Sequence, residues 1–181
     1  MSPSASSIAL ALSLAAAAPA IAQQPRAIAT VPLRAGMVIT ASVRIRPGVY
    51  RLPGAAAADS AVVTIRGSDI TVDFTGATLE GTDPALPPDA ARGIGIRIEG
   101  GRDVRIRGAR VRGYRFGLLA RGTRGLTIED SDLGHNWKPR LFSRVEHESL
   151  VDWLSHHHNE AGEWLRFGAG IDLAEVHVGE I

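Results

Sequence analysis

The stretch Ile96-Arg97-Ile98-Glu99-Gly100-Gly101-Arg102-Asp103-Val104-Arg105-Ile106-Arg107-Gly108-Ala109-Arg110-Val111 decides the fold, because it recurs 22 residues later. The shift lays Ile96-Arg97-Ile98 on Leu118-Leu119-Ala120, Gly100 on Gly122 and Arg102 on Arg124. It also lays Val104-Arg105-Ile106 on Leu126-Thr127-Ile128 and Val111 on Leu133. A third copy lies upstream with small changes of length: Val63-Thr64-Ile65, Ile70-Thr71-Val72, then Leu79-Glu80-Gly81. Within each copy apolar and polar residues alternate, which is the period of a strand and not of a helix. Short alternating strands and Gly turns at a fixed period mark a solenoid, whose units bury their apolar faces only by stacking on one another. Each unit reads as one coil of a parallel β-helix with Ile, Val and Leu inside, so the predicted class is all-β.

A chain of 181 residues suits a single domain. Residues 1–22 read as a cleavable export leader: an apolar run from Ile8 to Ala18, too short to span a bilayer, then the small-x-small signal Ala20-Ile21-Ala22. This predicts a periplasmic or secreted protein with no membrane span. Residues 23–37, with Pro25, Pro32 and Gly36, read as an extended lead-in, and residues 38–181 as the β-helix domain. Val43 to Tyr50 is strand, Pro-Gly turn, strand. Loops at Pro53–Ser60 and Gly81–Arg92, rich in Ala, Pro and Asp, are expected to protrude. A non-repetitive, helical insertion is predicted at 137–167, after which Gly168 to Leu173 resumes the repeat, and the last coil is cut at Ile181. An open coil exposes strand edges, so further C-terminal coils or a capping partner are expected.

The chain has no Cys, which excludes disulfides and thiolate metal sites, and its net charge of +1 gives no global argument for nucleic acid. Locally the balance differs: ten arginines against two acids lie between Arg92 and Arg124. Coils stack about 4.8 Å apart, so aligned outward residues become neighbours. Glu99 then falls beside Arg66, Arg107 between Asp73 and Glu129, Arg112 beside Glu80 and Arg110 beside Asp132. Much of the run thus reads as a ladder of opposite charges, each pair worth roughly 0.2–1 kcal/mol. Arg97, Arg102, Arg105, Arg115, Arg121 and Arg124 are left without an obvious partner, and Arg105, Arg121 and Arg124 are the candidates for contacting an acidic ligand.

All three Trp and five of the six His fall between His135 and Trp164, around the one long interruption of the repeat. Insertions into a solenoid emerge on one face, often the binding face. Ser143-Arg144-Val145-Glu146 has the capping-box pattern, and a helix is expected from about Arg144 to His157. Leu150, Trp153, Leu154 and His157 would form its docking face, and Glu148, Asp152 and His156 another. His135, His156 and Asp152 are the candidates for proton transfer. Asn136, Trp137, Trp153 and Trp164 are candidates for sugar contact. A structural lid is the competing reading of the same residues, and no histidine spacing here is specific to a metal site. Glu129, Asp130 and Asp132 offer carboxylates of the kind glycoside hydrolysis needs. Against that, Asp130 aligns with the turn residue Gly108, and Asp132 with Arg110.

The segments Val43–Leu52, Val63–Gly81 and Ile96–Asn136 resemble coils of right-handed parallel β-helix proteins, the pectate-lyase-like superfamily. That superfamily includes periplasmic carbohydrate-binding and sugar-hydrolase-type repeats similar to those of the nitrous-oxide-reductase accessory protein. The resemblance implies export and polysaccharide lysis, hydrolysis or epimerisation; with the unpaired arginines, the expected partner is an acidic polysaccharide that is bound and cleaved or epimerised. It implies calcium only by family analogy, since neither a clear calcium-binding Asp cluster with its catalytic arginine nor the paired-Asp motif of polygalacturonases is found. The alternative is a non-catalytic binding or scaffold solenoid of the cell envelope.

Overall fold

A computed structural model describes residues 28–55, 57, 60–138 and 168–180. The leader at 1–22 and residues 139–167 of the insertion, with Asp152, Trp153, His156 and Trp164, lie outside the described residues.

Fourteen short strands follow one another: β1 (Ala29–Val31), β2 (Met37–Ile39), β3 (Val43–Ile45), β4 (Gly48–Arg51), β5 (Ala61–Arg66), β6 (Ile70–Asp73) and β7 (Ala77–Glu80). After a 3-10 turn at Pro88–Ala90 come β8 (Ile94–Glu99), β9 (Val104–Arg107), β10 (Arg110–Arg112), β11 (Phe116–Arg121), β12 (Arg124–Glu129), β13 (Ala169–Ala174) and β14 (His177–Glu180). They form three sheets, all parallel. The first sheet runs β1-β3-β6-β9-β12-β14, the second β2-β5-β8-β11-β13 and the third β4-β7-β10. From β2 onward the chain visits the second, first and third sheets in turn, then starts again. That is a solenoid-like, all-β architecture. The lead-in contributes a strand: β1 lies beside β3, with Val31 against Ile45.

The register is the one the repeat predicts. In the second sheet Met37, Val63, Ile96, Leu118 and Ile171 stand in one column, and Ile39, Ile65, Ile98, Ala120 and Leu173 in the next. In the first sheet Val43, Val72, Ile106 and Ile128 align. In the third, Tyr50, Leu79 and Val111 do. These columns meet inside as one core of buried aliphatics. Ile94, Phe116 and Leu119 form a second, smaller cluster. Gly95 shows how tight the interior is, since a Cβ there would sit 2.5 Å from Val111 Cγ1. Tyr114 is fully buried, and its hydroxyl donates to the Leu52 carbonyl at 2.6 Å across 62 residues of sequence. Burial, with Glu80 nearby, pushes that phenol well above its ordinary value and keeps it neutral.

Turn chemistry follows the alignment too. Gly108 has φ +64° and Asp130, one coil on, +51°. Asp reaches this left-handed region more readily than most residues, which is why it can replace Gly there.

Ile106 is completely buried between Val72 and Ile128, so Ile106→Ala opens a cavity in the middle of a column. Denaturant unfolding should show a loss of about 2–5 kcal/mol. Val38→Ala, at an outward position 49% exposed, should change stability by no more than about 0.5 kcal/mol.

Candidate functional site

The outward faces carry the charge ladder, and its register is as expected: Arg66 against Glu99, Arg107 between Asp73 and Glu129, Arg112 against Glu80, Arg110 against Asp132. The ion pairs follow in part. Arg66 meets Glu99 at 2.6 Å, and Arg112 reaches Glu80 Oε1 through Nε at 3.2 Å and also through Nη2. Arg107 instead turns to Asp130 at 3.4 Å, and Asp73 takes Arg44 at 2.9 Å. Asp132 does not pair with Arg110; its Oδ1 accepts from the Gly134 N–H at 3.0 Å.

Three arginines expected to lack partners have them. Arg97 lies 3.4 Å from Glu99, Arg105 3.7 Å from Glu129, and Arg121 2.9 Å from Asp172. The first two pairs are not directly opposite, and the third joins rungs on either side of the insertion, so a shift of 22 shows none of them. Glu129, Asp130 and Asp132 are accordingly occupied by local contacts and do not converge as a hydrolytic pair. Among the described residues no three His, Cys, Asp or Glu side chains gather where a metal ion could be held.

A cleft of about 330 Å³ opens where the third sheet hands the chain back to the second. One wall is the loop after β7, with Pro84, Leu86, Pro87 and Pro88. The loop is braced by turns: Asp83 Oδ1 accepts from the Ala85 N–H at 2.9 Å, and the Leu86 N–H donates to Asp83 O at 3.0 Å. The prolines cut its freedom further. The other wall carries Glu80, Arg112, His135, Asn136 and Lys138. His135 has φ +53° and stands one coil above Gly113, φ +77°, whose N–H donates to His135 O at 3.0 Å. It is exposed at the cleft's rim.

Asn136, expected as a sugar contact, lines the cleft and also has a structural part. It is only 5% exposed, and its amide ties the corner together. Oδ1 accepts from the Tyr114 N–H at 3.0 Å, while Nδ2 donates to Leu133 O at 2.7 Å and Val111 O at 3.0 Å. Alternation does not extend to corner residues, so sequence pattern could not tell this buried amide from a ligand contact. Trp137 is half-buried beside Gly168, and its N–H donates to Tyr114 O at 2.8 Å.

Arg105 stands on the outer face of the first sheet, and Arg121 and Arg124 flank the turn that leaves β11. His135 is at the other end of that strand. Six residues at about 3.3 Å each separate the two corners by roughly 17 Å. The expected arginines and His135 therefore do not share one subsite. Inside the cleft the cations are Arg112, expected only as the ladder partner of Glu80, and Lys138, which no sequence signal marks. Lys138 follows Trp137 at the edge of the repeat, and the loop's proline content was the only signal of a rigid wall.

An apolar, proline-lined wall facing His135, Lys138 and Arg112 suits a ring with an acidic group: the wall packs the ring face, and the cations meet the charge. Glu80, ion-paired to Arg112 and to Arg51 at 3.3 Å, tempers the positive side. Fold and cleft together define an all-β repeat protein of three parallel sheets with a loop-walled recess at one corner. No family model, curated protein or solved structure matches the chain.

Two predictions test this framework. Asn136→Ala leaves the Tyr114 N–H and two carbonyls unpaired in the interior, and denaturant unfolding should report a loss of about 1–3 kcal/mol. The second concerns acid. The Thr75 hydrogen bonds, then Arg44, hold Asp73 down at about 2 from 3.8, and Arg112 and Arg66 hold Glu80 and Glu99 below the usual range. Carboxyls depressed in the folded state stabilise it above their unfolded pKa and lose that contribution as pH falls through the folded one. Melting temperature should be level from pH 7 to about 5 and fall between about 4 and 2, less steeply in Asp73→Asn.

Proposed function

We propose that the protein is an exported, right-handed parallel β-helix of the pectate-lyase-like kind that binds an acidic polysaccharide in the corner cleft and acts on it as a lyase. The observation that carries this reading is the convergence of His135, Lys138 and Arg112 opposite the Pro84–Pro88 wall. Three parallel sheets visited in rotation support the β-helix class, and the Ile8–Ala22 segment supports export. In a uronate, neutralising the carboxylate acidifies the neighbouring C–H bond. Lys138 and Arg112 supply the positive charge. His135 then takes the proton, the electron pair left on carbon forms a double bond, and the glycosidic oxygen departs, picking up a proton from water.

A second reading is a binding solenoid without turnover. It is favoured by the engagement of the cleft's own polar groups, Arg112 with Glu80 and Asn136 with the corner backbone, which leaves fewer of them free for a substrate than a catalytic centre usually offers.

The two are separated by incubating the full chain with uronate polymers and following the ultraviolet absorbance of unsaturated products. Turnover should appear and fall by roughly 10²–10⁴ in His135→Ala, with Arg44→Ala unaffected. Binding without product from any polymer selects the second reading, and absence of both refutes the proposal.

A further inference from the structure

We propose that Arg102, Arg124 and His177 form a row that binds one acidic polysaccharide chain, carboxylated or sulfated, laid across the rungs at the corner between the second and first sheets. The ligand class rests on the preceding reading; the surface is a different one, a strand's length from the cleft.

Opposite charges alternate from rung to rung along one outward column of each sheet. Arg44, Asp73, Arg107 and Glu129 succeed one another in the first sheet. Arg66, Glu99 and Arg121 do so in the second, and Arg51, Glu80 and Arg112 in the third. At the corner the rule is broken. Arg102 is bridged to Arg124, so arginine stands on arginine about 4.8 Å apart, and Arg124 is partnered in turn by His177, just before the β12–β14 register shifts. Like charges directly opposite destabilise a sheet unless something else compensates. Eight described arginines have an ion pair, but Arg102 and Arg124 make none with any described carboxylate, and all three residues of the row are exposed.

The acids nearest the row are Asp69, Asp103 and Glu175, all exposed. Asp69 and Asp103 occupy successive rungs one residue further along the chain, but their column continues as Gly125, over which Asp103 Oδ1 lies. Asp103 is thus the one acid of that column that reaches the Arg124 rung, Glu175 precedes His177 by two residues, and neither forms an ion pair with the arginines of the row.

The backbone beneath the row is fixed. The Arg102 N–H donates to Ser68 Oγ at 3.0 Å, the Arg124 N–H to Gly101 O at 3.1 Å and the His177 N–H to Thr123 O at 2.9 Å. Thr123 is fully buried and its hydroxyl donates to Gly100 O at 3.0 Å. Rung spacing is thus set before any ligand arrives, and binding restricts only side-chain rotamers. Two arginines and a histidine on successive rungs match a polymer whose charge repeats, better than a single small anion.

The test is retardation of the full chain in gels containing polygalacturonate, a sulfated glycan, dextran or single-stranded DNA, at low and high salt. The acidic glycans should retard it at low salt only, and dextran not at all. Arg102→Ala with Arg124→Ala should weaken binding roughly tenfold or more, and His177→Arg, a gain independent of any folding defect, should tighten it several-fold. Arg44→Ala, which removes a paired cation, should change nothing. The row is overturned if the double variant binds as the parent does, if Arg44→Ala costs as much, or if DNA is bound in preference to the glycans. If His135→Ala abolishes polymer binding and the double variant does not, the cleft reading stands and the row falls.

Discussion

Like side chain stacked on like, rung over rung, is the constraint from which the rest of the structure follows. Side chains in a strand alternate with a period of two, so slipping one rung by a single residue would turn its whole aliphatic set outward. The columns Met37–Val63–Ile96–Leu118–Ile171 and Val43–Val72–Ile106–Ile128 forbid that slip in the second sheet and in the first as far as β12, beyond which the β12–β14 pairing shifts register. Once the inner columns are in register, the outer ones are too. The charge ladder is in this sense a by-product of the core: Glu99 faces Arg66 because Ile98 faces Ile65. Exposed pairs of this kind contribute little each, about 0–1 kcal/mol, so the ladder refines a register that burial has already imposed.

Corners obey different rules, and it is there that the molecule departs from its repeat. A strand position must hold an alternating side chain, whereas a corner must only turn the chain and satisfy its backbone. Gly113 and His135 serve the same corner on successive coils, one with no side chain and the other presenting an imidazole to the cleft. Asn136 closes that corner from within by holding backbone groups of Val111, Leu133 and Tyr114. The loop between β7 and β8 leaves from the adjoining edge and adds the proline wall. A rigid frame with variable corners is a general way of giving one architecture different sites.

This division also explains what could be read from sequence. The 22-residue shift gave the strands, their register and most outward neighbours, because all of these depend on local alternation and a fixed period. It set Ile106 under Ile128 and Asp130 at the turn of Gly108. It did not give the partners of Arg121 and Arg105. Asp172 lies beyond the insertion, where the period is lost, and Glu129 is not directly opposite Arg105. Corner residues were the least legible: buried Asn136 and rim-exposed His135 are adjacent and polar, and only the turn geometry distinguishes them. The wall from Pro84 to Pro88 was legible as a protruding loop but not as one face of a cleft, since its neighbour His135 is some fifty residues away in the chain.

A net charge of +1 conceals how the charges are arranged. When each cation faces a carboxylate on the next rung, the field of the sheet cancels within a few ångströms, and a polyanion passing over it meets no sustained attraction. On the proposed reading, recognition would depend on where alternation fails. Two corners meet that condition in different ways: the cleft, where His135 and Lys138 are added beside an Arg112 already shared with Glu80, and the turn after β11, where Arg102, Arg124 and His177 follow one another and the two arginines form no ion pair with a described carboxylate. Both arise where a turn releases the chain from the register demanded by the core. The same stacking that makes the ladder nearly neutral therefore also determines where charge can be left uncompensated.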